Sequence, residues 1–371
     1  MKLIAKSSKL FRRNRISYIQ NRKFLIMNRR KFISQSSIAA SGFLYLPSML
    51  KTPKKEDLIL GHGNKRYRIN KEWSQLDAAK YPVKDCHEMV QDSKGRIILL
   101  TNETKNNVIF YDKKGKLINT WGHEYPGAHG LTLFNENGHE VLFICDNNRH
   151  QVIKTNLDGK VLMTLDYPKE TGQYTKADEY IPTETAITSN GDIYVADGYG
   201  KDFIIQYDHK GKYIRHFGGR GDKEENLLNA HGICVDYREK NNPTLIVTSR
   251  QQNAFKRFTF DGKFINTISL PGAWVCRPVI NGDYLYSAVL QSSSHVNEQS
   301  GFVTILDKNF KVVSNLAGND PAYNGNIPEE MHQTVKAFQY PHDVCIDDDQ
   351  NMYVAQWNSG HVYPYKLEPI G

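Results

Sequence analysis

The sequence predicts an all-β protein, a six-bladed β-propeller whose ring is closed by an N-terminal strand. Two observations support this fold class. From residue 86 onward the chain repeats itself every ~35–50 residues, a period that is typical of propellers and solenoids. Each copy contains short alternating apolar runs separated by glycine-ended turns such as SKG, SNG and FDG, which favours strands over helices.

The repeat copies follow one another along the chain. They begin, in order, at Cys86, Gly127, Pro182, Asn229, a weaker copy at Trp274, and Tyr340. Three strands per copy are clear and a return segment makes a fourth, which indicates four-stranded blades. The last copy stops at its third strand, so we expect Lys65–Trp73 to supply the missing one and the propeller to span residues 65–369. An open solenoid would need polar capping repeats, which the sequence does not show.

The N-terminal segment is predicted to direct export. Residues 1–55 contain 14 of the 48 Lys and Arg residues and no acidic residue. Within residues 27–50, Arg29 and Arg30 precede a weakly apolar stretch, which resembles a twin-arginine signal. We therefore expect the twin-arginine translocase as a partner during export and a periplasmic or extracellular location. The mature form should have no integral membrane span. The alternative is a merely basic, disordered tail.

The rest of the chain has no basic excess. After position 55 there are 34 basic and 40 acidic residues, a net charge of −6. A protein that binds a phosphate backbone needs a basic surface, so we exclude nucleic acid as a partner. The five cysteines form no CxxC pair, and their odd number argues against a disulfide framework.

Histidines recur at one position of the repeat. Aligning the copies on their first strand places these residues there, in order: His87, His129, Thr183, His231, an ambiguous position near Arg277, and His342. The first strand of each blade lines the central channel, so equivalent positions form a ring and the imidazoles should converge. Three histidines with an open coordination position suit a catalytic Zn²⁺. The alternative is a structural histidine that is copied with the repeat and hydrogen-bonded to a neighbouring blade.

The repeats resemble the NHL family, in which Tyr-Val-Ala-Asp-Gly precedes an apolar strand that ends at Asp, here Tyr194 to Asp208. The histidine segments also resemble the peptidyl-α-hydroxyglycine α-amidating lyases, six-bladed propellers in which three histidines hold a zinc. The matching segments are Ala-His-Gly-Leu at His129, Ala-His-Gly-Ile at His231 and Tyr-Pro-His-Asp at His342. The resemblance implies that these three histidines bind zinc, with His87 as an additional candidate.

The resemblance also implies catalytic residues and a second metal. Tyr199 ends an Asp-Gly-Tyr segment that matches the family's catalytic tyrosine, and Arg250 matches the place of an active-site arginine. Tyr199 would move a proton, and Arg250 would neutralise a carboxylate or oxyanion beside the zinc. A structural calcium is implied at Asp343 and the main-chain carbonyls of Met89 and Leu131.

Two departures from the family leave the substrate open. Thr101–Glu103 stands where the family has a further arginine, and Tyr340 replaces a methionine. We therefore predict an exported, zinc-dependent, lyase-like enzyme that acts on a small-molecule or peptide-derived substrate with hydroxyl or carboxylate groups. The alternative is a non-catalytic propeller whose loops bind a glycan, a peptide or a protein. A haem enzyme is disfavoured because the sequence has no CxxCH motif.

Overall fold

The computed structural model describes residues 58–292 and 299–370. The basic segment 1–55, with the export signal predicted at 27–50, therefore lies outside the described residues. Within the described ranges, no helix has the length and apolar character that crossing a membrane would require.

The described residues form six antiparallel sheets arranged as the blades of a propeller, as the repeats predict. The described residues begin with a hairpin of β1 (Ile59–His62) and β2 (Lys65–Asn70). Blade 1 then contains β3 (Cys86–Gln91), β4 (Ile97–Thr101), β5 (Val108–Tyr111) and β6 (Leu117–Trp121). Blade 2 contains β7 (Ala128–Glu136), β8 (His139–Asp146), β9 (Gln151–Asn156) and β10 (Val161–Leu165).

The next two blades repeat this four-stranded meander. Blade 3 contains β11 (Glu184–Ile187), β12 (Ile193–Ala196), β13 (Phe203–Tyr207) and β14 (Tyr213–Gly218). Blade 4 contains β15 (Ile233–Asp236), β16 (Thr244–Ser249), β17 (Ala254–Phe258) and β18 (Phe264–Ser269). The connections carry short 3-10 turns at Lys169–Thr171, Ala177–Glu179 and Arg250–Gln252.

Blades 5 and 6 each contain five strands. Blade 5 contains β19 (Ala273–Val275), β20 (Val279–Asn281), β21 (Tyr284–Ser292), β22 (Phe302–Leu306) and β23 (Val312–Leu316). A small hairpin of β24 (Tyr323–Asn324) and β25 (Ile327–Pro328) follows. Blade 6 combines β26 (Pro341–Ile346), β27 (Met352–Gln356) and β28 (Tyr365–Ile370) with β2 and β1.

The N-terminal hairpin closes the ring, as predicted. Strand β2 pairs antiparallel with β28, from Arg66 opposite Ile370 to Asn70 opposite Lys366. The predicted segment is shorter as a strand, because it ends at Asn70. Trp73 instead packs between blades 6 and 1, with its ring centroid 4.8 Å from the rings of both Tyr111 and Tyr353. Closure of the ring therefore buries the aromatic side chain of Trp73 between two blades, in addition to pairing two strands.

Apolar side chains fill the spaces between adjacent blades. The cluster between blades 1 and 2, for example, buries Leu100 and Phe110 against Leu131 and Ile144. Alternating strand residues point to the two faces of each blade, so every blade contributes to two such clusters. The first strands lie nearest the central channel and carry His87, His129 and His342, while Tyr199 and Arg250 follow second strands.

Candidate metal centre and active site

β-Bulges aim three of the predicted histidines into the central channel. The pairing register shifts between Cys86 and Glu88, and likewise between Pro341 and Asp343, so that His87 and His342 are extra residues of their strands. A similar shift between Ala128 and Leu131 contains His129. A bulge locally breaks the alternation of side chains and re-aims the residue concerned.

All four predicted histidines come together in the channel. His87, His129, His231 and His342 are each at most 5% exposed. The ring centroids of His129 and His342 lie 4.8 Å apart, and those of His231 lie 4.8 Å from both. His87 lies 4.7 Å from His129 and 4.8 Å from His342. The four rings therefore form two triangles that share the edge between His129 and His342.

Hydrogen bonds set the tautomers of the two shared histidines. Nδ1 of His129 lies 2.8 Å from the carbonyl of Thr183, and Nδ1 of His342 lies 3.0 Å from the carbonyl of His87. A carbonyl only accepts, so Nδ1 carries the proton in each ring and Nε2 keeps a free lone pair. This is the form in which imidazole binds a metal, with its other nitrogen held by a hydrogen bond.

The remaining two histidines leave nitrogen atoms without partners. Among the described residues, the buried Nδ1 atoms of His87 and His231 have no hydrogen-bond partner. One nitrogen from each of His87, His129 and His342 lies within 4.8 Å of the others, a spacing that could hold a metal ion. The donor set is therefore compatible with a zinc ion, which accepts neutral imidazoles.

Tyr199 lies at the mouth of the histidine cluster. Its hydroxyl is 3.2 Å from Nε2 of His129 and 3.0 Å from Nε2 of His231, while its side chain remains 39% exposed. The preceding glycine makes this approach possible, because a Cβ on Gly198 would lie 2.2 Å from the carbonyl oxygen of Ala230.

Asp197 fixes the loop that carries Tyr199. Its carboxylate accepts hydrogen bonds from the backbone N–H of Ile181 and of Lys201 and from the hydroxyl of Tyr174. The Asp-Gly-Tyr motif therefore has one anchoring residue, one residue without a side chain and one residue that faces the site. Asp197 is therefore a structural residue.

Arg250 follows β16 and is only 4% exposed. Its guanidinium donates to the carbonyl of Val275 and to Sγ of Cys276, at 3.3 and 3.1 Å. Within residues 58–292 and 299–370 it forms no ion pair with a carboxylate. The positive charge is therefore available to an anionic group that enters beside Tyr199, and the predicted catalytic pair does share the histidine site.

The environment keeps the histidines neutral. Burial lowers the pKa of all four imidazoles, to about 3 for His87, and the positive charge of Arg250 lowers them further. Burial also raises the pKa of Tyr199, which Arg250 partly offsets by its charge and a hydrogen bond. In the metal-free protein Tyr199 is thus a neutral phenol.

The residues predicted to bind calcium come together around the side chain of Arg277. The guanidinium of Arg277 donates to Asp343 through Nε and a terminal nitrogen, at 3.0 and 2.8 Å. It also donates to the carbonyls of Leu131 and Met89, at 2.9 and 3.0 Å. The guanidinium of Arg277 therefore occupies the position at which calcium is predicted from Asp343, Met89 and Leu131.

The acidic neighbours of this arginine are not predicted from the sequence. Glu88 and Glu184 occupy the same repeat position as Asp343, one residue after the histidine position, and both are fully buried. The carboxylates lie 3.5 and 3.7 Å from Arg277. Shifting the repeat alignment by one residue would have shown this second ring, which contains three carboxylates and one arginine.

Comparison with known proteins agrees with the propeller fold. A family described as a 6-bladed β-propeller (DUF5128) matches residues 180–360. Peptidyl-α-hydroxyglycine α-amidating lyase 1 of Drosophila melanogaster is 26% identical over 283 residues, which cover 68% of this chain and 47% of that protein. A probable lyase of the same name from Caenorhabditis elegans is 34% identical over 87 residues, 23% of this chain and 24% of that protein. The chain thus spans about half the length of the Drosophila relative.

Solved structures share the fold at low sequence identity. A streptogramin B lyase is 14% identical with a TM-score of 0.53, covering 81% of this chain and 97% of that chain. A gluconolactonase from Xanthomonas campestris is 12% identical with a TM-score of 0.54, covering 82% of this chain and 90% of that chain. The chain is a six-bladed β-propeller that resembles the peptidyl-α-hydroxyglycine α-amidating lyases.

Proposed function

We propose that the protein is an exported, zinc-dependent lyase that cleaves a small α-hydroxyglycine amide or a related carbinolamide. One observation carries this proposal: four buried, neutral histidines meet an accessible tyrosine and an arginine at one mouth of the channel, and this arginine pairs with no carboxylate among the described residues. A repeat-encoded structural role for the histidines would not explain why this tyrosine and arginine meet them.

His129, His231 and His342 would hold the ion, and His87 is a further candidate ligand. One nitrogen from each of His87, His129 and His342 lies within 4.8 Å of the others, which supports a bound cation in the cluster. When bound, a zinc ion supplies a Lewis acid that polarises a hydroxyl or carbonyl oxygen of the substrate.

Tyr199 would move the proton of the reaction. In a carbinolamide the hydroxyl loses its proton, the C–N bond breaks to form an aldehyde, and the nitrogen leaves as an amide that takes up a proton. The Tyr199 hydroxyl lies within hydrogen-bond distance of the imidazoles of His129 and His231, and Tyr199 is itself partly exposed to solvent. The hydroxyl can therefore reach a substrate that enters the mouth of the channel.

Arg250 would bind the carboxylate of the substrate. A buried guanidinium donates two parallel hydrogen bonds to a carboxylate, which orients it as well as neutralising its charge. The segment Thr101–Glu103 offers no second cation in blade 1, so Arg250 alone would bear this task among the residues carried over from the lyases.

Turnover of small α-hydroxyglycine amides tests this proposal. Tyr199→Phe keeps the ring and removes the proton-transfer group, so turnover should fall by about 10²–10⁴ while zinc remains bound. Tyr237→Phe, at an exposed tyrosine of blade 4, is the matched control and should keep full activity. Unchanged turnover in Tyr199→Phe would contradict the assigned role. A metal-free protein without turnover would instead favour the binding propeller.

Export through the twin-arginine route is the second part of the proposal. It is supported by Arg29 and Arg30 before the weakly apolar stretch. Substituting both arginines with lysine should leave the protein in the cytoplasm, as measured by cell fractionation. Continued export of that variant would contradict this route.

A further inference from the structure

A second ring of charged residues lies directly behind the histidines. In each copy it is formed by the residue after the histidine position: Glu88, Gly130, Glu184, Gly232, Arg277 and Asp343. The bulges make this possible, because they let His87 and Glu88, or His342 and Asp343, both face the channel. The ring thus holds three carboxylates and one cation.

Arg277 connects four other blades through this ring. From blade 5 it reaches Met89 and Glu88 in blade 1, Leu131 in blade 2 and Asp343 in blade 6. Glu184 of blade 3 lies 3.7 Å from its Nε.

The carboxylates also join the blades to one another. Asp343 accepts a hydrogen bond from the backbone N–H of Met89, and Glu88 accepts one from that of Leu131, each across a blade boundary.

The backbone around Arg277 is shaped to admit it. Pro278 has no N–H for strand pairing, and the first strand of blade 5 is split there into β19 and β20. From blade 4, a Cβ on Gly232 would lie 2.6 Å from Cα of Arg277, so only glycine allows this close approach.

The donors around the guanidinium are of the kind that a calcium ion selects. Carboxylate and main-chain carbonyl oxygens are the preferred ligands of Ca²⁺. In addition, Oε1 of Glu88 and Oε2 of Glu184 are buried and have no hydrogen-bond partner among the described residues. A cavity of about 450 Å³ reaches Arg277 from the end of the channel opposite Tyr199, so ions have access to this position.

We propose that Arg277 is a built-in cation that takes the place of a divalent ion at the centre of the propeller. The stability of the propeller then does not depend on calcium. Removal of the arginine side chain creates a calcium site that consists of the carboxylates of Glu88, Glu184 and Asp343 and the main-chain carbonyls of Met89 and Leu131. This inference is independent of the lyase activity, since it concerns only the stability and the ion content of the protein.

Calcium titration of the wild-type protein is the first test. The thermal midpoint should be the same in EGTA and in millimolar Ca²⁺, and no calcium should remain bound after gel filtration. Retention of stoichiometric calcium, with a lower midpoint in EGTA, would overturn the proposal.

The second test uses Arg277→Ala, with Arg238→Ala as the matched control. Arg238 also pairs with a buried carboxylate, at 2.9 Å from Asp236, but lies outside the second ring. Both variants should have lowered midpoints in EGTA. Only Arg277→Ala should recover with Ca²⁺, by about 4 °C when the ion is at 100 times its dissociation constant. An equal response of the two variants would contradict the proposal.

If Arg277→Ala does not fold in the absence of calcium, refolding of the variant still tests the proposal. The denatured variant would then be refolded in millimolar Ca²⁺ or Mg²⁺. Recovery in Ca²⁺ supports a donor set that selects calcium, and recovery in neither ion overturns the proposal. Arg277→Lys keeps the charge without the planar fork, so it should be more stable than Arg277→Ala and insensitive to calcium.

Discussion

Removal of the metal should make the protein sensitive to mild acid, because the channel then holds four neutral imidazoles that cannot easily take up protons. Burial lowers the pKa of His87 to about 3, and those of His129, His231 and His342 well below their usual value. In the unfolded chain each of these histidines titrates near pH 6.5. Below that pH the four histidines therefore bind up to four more protons in the unfolded state than in the folded state.

The magnitude follows from the number of protons. Each additional proton bound by the unfolded chain lowers the free energy of unfolding by about 1.4 kcal/mol per pH unit. Four histidines contribute about 5 kcal/mol per pH unit below pH 6.5. Burial also raises the pKa of Asp197 to about 7, that of Asp343 to about 6 and that of Glu88 well above its usual value, so these carboxyls hold protons in the folded state and reduce the net slope. Since domains are stable by about 5–15 kcal/mol, the remaining slope still removes a substantial part of the stability of the metal-free propeller as the pH falls. Stability is thus retained above the unfolded-state pKa and lost as the pH falls.

Urea denaturation of chelator-treated protein between about pH 7 and pH 5 measures this slope. His87→Gln should reduce it by about 1.4 kcal/mol per pH unit, because one proton fewer is taken up on unfolding. His209→Gln, at an exposed turn, is the matched control and should leave the slope unchanged. An equal slope in His87→Gln and in the wild type would refute the reasoning.

Three further predictions follow from single residues. Gly198→Ala should reduce turnover of the proposed substrate as strongly as Tyr199→Phe. The reason is that the added Cβ would lie 2.2 Å from the carbonyl oxygen of Ala230 and displace Tyr199. The zinc content of this variant should not change. Tyr67→Ala should cost about 3–5 kcal/mol in urea denaturation, because this side chain of the closing strand is only 3% exposed; a cost below about 1 kcal/mol would contradict its role in closure. Arg250→Lys should raise the KM for a carboxylated substrate more than it lowers kcat; an unchanged KM would exclude carboxylate binding there.

The repeat pattern was sufficient to predict the blades and the histidine ring. Periodic copies with glycine turns define where strands begin and end. Residues at the same position of successive copies then form a ring around the channel. The closing strand was also predictable, because the last copy lacked its fourth strand. The position of Trp73 was not predictable, because a single side chain that packs between two blades produces no periodic pattern in the sequence.

The second ring shows what the pattern could not provide. Strand alternation predicts that the residue after a channel-facing histidine points away from the channel. The bulges at His87 and His342 break this rule, so Glu88 and Asp343 face inward as well. The resemblance to lyases placed a calcium at Asp343, but it could not show that Arg277, from a blade with a weak repeat, fills that position.

The metal content of purified protein tests the central claim most directly. His129 and His342 belong to both triangles of the histidine cluster, so the double variant His129→Ala with His342→Ala should lose the ion completely. The wild type should retain about one zinc per chain after gel filtration. Single substitutions of His87 and His231 then show which triangle binds it. A metal-free wild type, or a double variant that keeps stoichiometric zinc, would contradict the account.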